Sequence, residues 1–269
     1  MKVRDAIKLI EQAKKAGADV VKFQSFKTEL LIPRDQPKMP YQQKRAKEAN
    51  QFDMLKKLEL NREQHQQLIE HCRKVKIGFL STPYDTQSAD LLLDLGVQAV
   101  KVASTDTTNI PFLRYLRSLG LPIILSTGVT AMAELERVMQ EFGSDYPLAL
   151  LHCVSNYPCP LDELNLRCIR TYQEKFGCPV GFSDHSESID VGAFAVCAGA
   201  RILEKHFTLD KIAPGPDHAA SFTYDELKEY IRKVREVEQL LGDGKKRVTN
   251  SESQIKLHMQ KSLVAKRVL

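Results

Sequence analysis

The runs PIILSTG (122–128) and LALLHCVS (148–155), with a helix-period segment over 131–142 between them, decide the fold. Each run is apolar along its length and turns polar only at its C-terminal end. The intervening segment closes before Gly143. A strand that is apolar on both faces must be covered on both, so strand, helix and strand in this order is a parallel βα unit. The unit recurs in both directions. VVKFQSF (20–26), GFLSTP (78–83) and AVKVAS (99–104) precede it; PVGFSD (179–184) and ARILEKHFT (200–208) follow. Helix patterns fill the gaps: 3–16 with Val3, Ile7, Ile10 and Ala13 on one face, 62–76 after Asn61, and 86–95 after Asp85. Further on come an Ala-rich 188–198 and 223–241, which opens with a Thr223/Glu226 capping box and closes at Gly242.

Seven such strands come within one of a (β/α)8 barrel, whose first strand is expected ahead of residue 3. A doubly wound open sheet is the competing architecture, although no GxGxxG turn follows any strand. A length of 269 residues suits one large α/β domain. The 43% hydrophobic and 27% charged fractions exclude a mainly disordered chain. No run approaches the ~18 apolar residues of a membrane span. The opening segment lacks the apolar stretch of a secretory signal. The net charge of +5 is spread along the chain, which fits a site for small anions better than a nucleic-acid stripe. Six cysteines without a CxxC pair point to a reduced, cytoplasmic compartment, with Cys72, Cys153 and Cys197 in contexts typical of free buried thiols.

Nearly every strand turns polar where it ends: Lys22 and Gln24; Ser81 and Thr82; Lys101, Ser104 and Asp106; Ser126 and Thr127; Ser155 and Asn156; Ser183, Asp184 and His185; Glu204, Lys205 and His206. In a barrel these ends share one face, where barrel enzymes build their sites. Lys22 and Lys101 lie in apolar strands, where an ammonium is costly unless something anionic meets it. They suit a phosphate or carboxylate pocket, with salt-bridged core residues or a Schiff-base lysine as alternatives. Thr82, Ser104, Ser126 and Ser183 would donate to the same oxyanion. His185 and His206 end consecutive strands and suit either a divalent metal or general acid–base work. His152 reads as a third ligand or a buried, satisfied histidine; His65, His71 and His258 read as surface residues. Pro214, Gly215 and Pro216 make a stiff turn that can fix Asp217 near the mouth. The charged connection 27–60 would hang over that mouth.

Taken in order, ADVVKFQSFK, QFDMLKKLEL, FLSTPYD, KVASTD, ILSTG, LLHCVSNYP, VGFSDHS, EKHFTLD and PGPDHAAS resemble the sialic acid synthase family, from about residue 3 to 250. The resemblance implies a TIM-type barrel that condenses phosphoenolpyruvate with an N-acetylated hexosamine to a nine-carbon 2-keto acid and phosphate. It places phosphoenolpyruvate contacts on Lys22, Thr82, Lys101, Ser104, Ser126, Asn156 and Ser183, and sugar contacts on Gln24, Tyr157 and Asp217. It places a manganese or magnesium ion on His185 and His206, and an acidic catalytic group, usually Glu, on Asp106. Lys101, His185 and His206 complete the expected catalytic set. It also implies a cytoplasmic homodimer with no nucleic-acid or membrane partner. Family members begin with a strand bearing a Glu and an Asn-His segment and end with an antifreeze-like domain. The chain is therefore expected to form a barrel without its first strand over 1–244, with 245–269 as linker and remnant. A truncated barrel that only binds ligands, or needs a partner chain, is the alternative.

Overall fold

The computed structural model describes residues 3–37, 50–213, 215, 217–264 and 266. All seven expected strand runs are strands: β1 (Val20–Ser25), β2 (Gly78–Pro83), β3 (Val100–Val102), β4 (Ile123–Ser126), β5 (Leu148–Cys153), β6 (Val180–Asp184) and β7 (Leu203–Lys205). β1 pairs with β2, and β3 to β7 form a second ladder in chain order, every pairing parallel. β2 packs beside β3. A doubly wound sheet would reverse its strand order, and this one does not.

The sheet is also rolled up. Lys22 Nζ on β1 lies 3.1 Å from Glu204 Oε2 on β7. Six inter-strand steps in a flat sheet would separate the two strands by roughly 29 Å.

The helices are α1 (Val3–Ala16), α2 (Thr28–Leu31), α3 (Gln51–Lys56), α4 (Arg62–Val75), α5 (Thr86–Asp94), α6 (Ile110–Ser118), α7 (Met132–Phe142), α8 (Arg167–Phe176), α9 (Val191–Cys197), α10 (Tyr224–Leu241) and α11 (Asn250–Met259). The expected caps form where the sequence puts them. Asn61 closes a capping box on α4, Asp85 accepts from Ser88 N, and Thr223 and Glu226 cap α10. The sequence reading did not identify α6 and α8. Their signals were present: Asn109 with Pro111 opens α6, and Gly177 in a left-handed conformation ends α8.

The main core lies between strands and helices, with Val102, Leu125, Leu150 and Phe182 meeting Leu92, Leu113, Leu135 and Ile169. A second cluster joins Phe23 to Ile10 of α1 and Leu68 of α4. A third joins Ala16 of α1 to Phe222 and to Leu227, Tyr230 and Val234 of α10. Arg235 of α10 pairs with Asp19 at 2.6 Å. The helix layer thus brings its two ends together, as the sheet does.

Two expectations need correction. His65 is not a surface residue but 1% exposed. It falls on the inner stripe of α4 with Leu68, Ile69 and Cys72. Its Nδ1 meets Asn61 O at 2.8 Å and its Nε2 meets Ser25 Oγ at 2.7 Å, so the packed ring is fully bonded. Cys197, expected buried, is exposed, because it falls one turn on from the exposed Phe194, on the outer face of α9.

Within the charged connection, α3 buries Phe52 and Met54, and Lys56 pairs with Glu29 and Glu59, each at 2.9 Å. Residues 38–49 of that connection, and Pro214 and Pro216 of the stiff turn, lie outside the described residues. α11 buries no residue. Among the described residues no helix is long and apolar enough to cross a membrane.

Asp85 ties two elements together. It caps α5 through Ser88 N at 2.7 Å and accepts from Lys27 N, just past β1, at 2.9 Å. Asp85→Ala is expected to lower the unfolding free energy in urea by about 2 kcal/mol. Asp94→Ala, which removes an exposed pair to Arg62, should change it by less than about 0.5 kcal/mol. Equal effects would show that the cap holds nothing together.

Candidate active site at the C-terminal rim of the strands

Side chains alternate along a strand, so residues two apart share the inner face. Lys22 and Gln24 on β1, Ser183 with His185 after it on β6, and Glu204 with His206 after it on β7 follow that spacing. Their meeting begins with Lys101 of β3, which is 1% exposed. Its Nζ donates to Ser126 Oγ at 2.6 Å and Val102 O at 2.9 Å, and lies 3.7 Å from Glu204 Oε1. Glu204 also receives Lys22 and accepts from Ser183 Oγ at 2.9 Å. Two ammonium groups therefore share one carboxylate.

Burial pushes the Lys101 ammonium down to about 8, with Glu204 opposing the fall. Burial would raise the Glu204 carboxyl, yet Lys22 and Lys101 hold it well below the usual range. The trio carries one surplus positive charge beside the hydroxyls of Ser126 and Ser183, an arrangement that attracts an oxyanion. In the sequence Glu204 reads only as a polar strand end. The available signal was that two lysines in apolar strands require a counter-charge.

Beside this trio stand the imidazoles. The rings of His185 and His206 have centroids 5.4 Å apart, and the Tyr157 ring lies 4.1 Å from the first and 5.6 Å from the second. Nδ1 of His185 is 2.7 Å from Val154 O. A proton on that nitrogen serves the carbonyl and leaves the Nε2 lone pair available. Burial and the neighbouring Lys22 push His206 down to about 3, so its ring is neutral. In their neutral forms the two imidazoles fit a borderline divalent ion. Cys153 Sγ, 3.8 Å from His185 Nδ1, outweighs burial and raises the His185 ring, so a bound cation would release a proton there. Among the described residues no group of three or more His, Cys, Asp or Glu side chains could hold a metal, so other donors would come from water or substrate.

The remaining expected residues divide. Ser104 Oγ accepts from Gly128 N at 2.9 Å and donates toward Cys153 Sγ, and a Cβ on Gly128 would collide with the Ser104 and Ser155 hydroxyls. Only glycine fits there. Thr82 is buried with its Oγ1 unpartnered among the described residues, an open group that a ligand oxygen would satisfy. Asp217 is raised by burial and lies within electrostatic reach of His218, His185 and Lys22.

Others sit at the margin. Gln24 is exposed and donates to Tyr84 OH at 3.1 Å. Asn156 lines a cavity of about 590 Å³ with Cys153 and Tyr172. Asp106 is raised by burial and accepts from Asn109 at 3.0 Å rather than from the lysines. His152 is a core residue: its Nε2 is 2.7 Å from Leu164 O, and its ring packs on Tyr172 and Phe182.

A rolled parallel βα sheet with lysines, hydroxyls and paired imidazoles on one rim defines an anion-handling barrel. The NeuB family model matches residues 9–246, and the chain belongs to that family. It is 42% identical over 267 residues to N,N'-diacetyllegionaminic acid synthase of Campylobacter jejuni, covering 97% of this chain and 80% of the relative. It is 35% identical over 263 residues to human N-acetylneuraminate-9-phosphate synthase, covering 97% and 73%. The crystal structure of N-acetylneuraminic acid (sialic acid) synthetase from Leptospira borgpetersenii, in complex with citrate, superposes with a TM-score of 0.85 at 31% identity. That likeness covers 95% of this chain and 86% of the other.

Carbon-13 NMR of the lysine Cε atoms is expected to show Lys101 titrating near pH 8. Because Glu204 holds that value up, Glu204→Gln should move the titration to lower pH. An unmoved midpoint would remove Glu204 as the counter-charge.

Proposed function

We propose that this chain joins phosphoenolpyruvate to an N-acetylated hexosamine, N-acetylmannosamine or a related bacterial sugar. The products are a nine-carbon 2-keto acid of the sialic acid type and inorganic phosphate. The observation that carries the proposal is the two-lysine, one-carboxylate cluster set directly against paired imidazoles on one rim. The names of the relatives point the same way.

Lys22, Lys101, Thr82, Ser104, Ser126 and Ser183 hold the enol phosphate, with Asn156 at the margin, and offset its charge as the phosphate leaves. Gln24, Tyr157 and Asp217 orient the sugar. His185 and His206 would hold manganese or magnesium, which supplies Lewis acidity toward the sugar aldehyde. Carbon 3 of the enol forms the new bond to the aldehyde carbon, whose oxygen takes up a proton. Water adds at carbon 2 and gives up a proton, for which Asp106, with its raised carboxyl, is the acceptor. The bond from carbon 2 to the phosphate oxygen then breaks, phosphate departs with the electron pair and takes up the proton of the carbon 2 hydroxyl, and the ketone remains.

In the same reading the seven strands belong to an eight-stranded (β/α)8 barrel. Residues 1–244 form the synthase unit, and 245–269, which carry the exposed helix α11, form a separate linker segment. The enzyme works as a homodimer in the cytoplasm, where its six free thiols stay reduced.

A panel of N-acetylhexosamines, assayed for phosphate release from phosphoenolpyruvate with and without Mn²⁺, tests the proposal. Release needing both an amino sugar and the ion is expected; none with any sugar contradicts it. Lys101→Ala should raise the KM for phosphoenolpyruvate about 10- to 100-fold and change that for the sugar far less. Equal effects would deny the phosphate role. His206→Ala should abolish metal stimulation while the fold persists, and unchanged metal dependence would remove the ligand assignment.

A further inference from the structure

β7 is three residues long, and each of them is only partly buried. So short a strand is weakly registered by hydrophobic contact alone, and a slip of one residue would turn every side chain to the opposite face. It nonetheless has to deliver His206 to the inner rim opposite His185. The backbone register is Phe182↔Leu203, Ser183↔Glu204 and Asp184↔Lys205.

The last two rungs carry polar cross-strand pairs on opposite faces. On the inner face Ser183 donates to Glu204. On the outer face Lys205 Nζ meets Asp184 Oδ2 at 3.2 Å, with side-chain exposures of 3% and 0%. The next residue on each strand is one of the two imidazoles.

The outer pair is built into its surroundings. Lys205 Nζ lies 4.0 Å from the centroid of the Phe222 ring and also donates to Ser186 O. Asp184 Oδ1 accepts from Ser186 N at 2.8 Å and from Ser186 Oγ at 2.7 Å. The turn that carries His185 is therefore fastened on both sides, through Asp184 before it and Ser186 after it. The same lysine that fixes β7 in register holds the Ser186 carbonyl.

We infer that the buried Asp184–Lys205 pair is a clamp that sets the spacing of the His185 and His206 imidazoles by locking β6 and β7 in register from behind the sheet. Asp184 and Lys205 are positioning residues: they face away from the rim and act through the histidines. The inference rests on the metal-dependent reading of the site for its functional consequence, but its geometric content stands apart from that reading. A splay at this rung would part the two rings, whereas a full slip would also turn Glu204 away from Lys22 and Lys101.

The test is the double variant Asp184→Asn/Lys205→Met. It removes both charges together, keeps the Asn oxygen for Ser186, and leaves no buried charge without a partner. Its crystal structure and its Mn²⁺ affinity, read by electron paramagnetic resonance of free Mn²⁺, are compared with those of the unaltered chain. The expected result is a cooperative melt near the original temperature, ring centroids separated beyond 5.4 Å, and Mn²⁺ affinity weakened about 10- to 100-fold. Rings held at their original separation with unchanged affinity would overturn the clamp.

Should the double variant not fold, Ser186→Ala serves in its place. It removes one hydrogen bond to Asp184 and adds no buried charge, and it should weaken Mn²⁺ binding in the same direction by a smaller factor. Unchanged affinity and ring separation in that variant would count equally against the clamp. If the unaltered chain binds no Mn²⁺, the metal reading fails, and the ring separation in the variant structure still decides the clamp.

Discussion

An ammonium group sealed inside a protein has to meet negative charge, and for Lys101 that charge is Glu204. The consequence reaches well beyond one pair. Glu204 stands on the last strand, Lys22 on the first and Lys101 between them, so satisfying the carboxylate draws the two ends of the sheet together. The contact between Ala16 of α1 and the α10 stripe repeats that closure in the helix layer with apolar surface. Charge on the inside and hydrophobic area on the outside thus demand the same curvature. Because the ammonium groups outnumber the carboxylate, the closed rim keeps a preference for anions after its own pairing is complete.

The division between faces organises the rest. Along β6 and β7 the inner residues Ser183 and Glu204 belong to the anion cluster, while the outer residues Asp184 and Lys205 face the helices. The histidines follow immediately, where the strands end and the backbone turns toward the helices. Chemistry is carried by the ends of rigid strands, and the residues that fix those ends are buried behind them. A site of this kind tolerates variation in the loops above it, which is where selection among different sugars would act.

Much of the fold was legible because it obeys local rules. Asn61, Asp85 and Thr223 announce their helices by capping chemistry, and the strand runs stop at polar residues because the rim is polar. Asn109–Pro111 marks the start of α6, and Gly177 the end of α8. His65 reads as solvated because it lies in a charged segment, although the stripe of Leu68, Ile69 and Cys72 beside it marks a buried face. The pairing of Glu204 with Lys22 joins residues far apart in the chain, and no local pattern announces it. Nor does sequence distinguish Asp184 and Lys205, one position before each histidine, from the inner residues beside them.

On this chemistry the two lysines at the closed rim would grip an enol phosphate. The most direct measurement is a crystal structure of the chain with phosphoenolpyruvate. The phosphate is expected within hydrogen-bonding distance of Lys22 and Lys101 and against the Ser126 and Ser183 hydroxyls, with carbon 3 of the ligand open toward His185 and His206. Phosphoenolpyruvate seated elsewhere, with the Lys22–Glu204–Lys101 cluster undisturbed and unliganded, would contradict it.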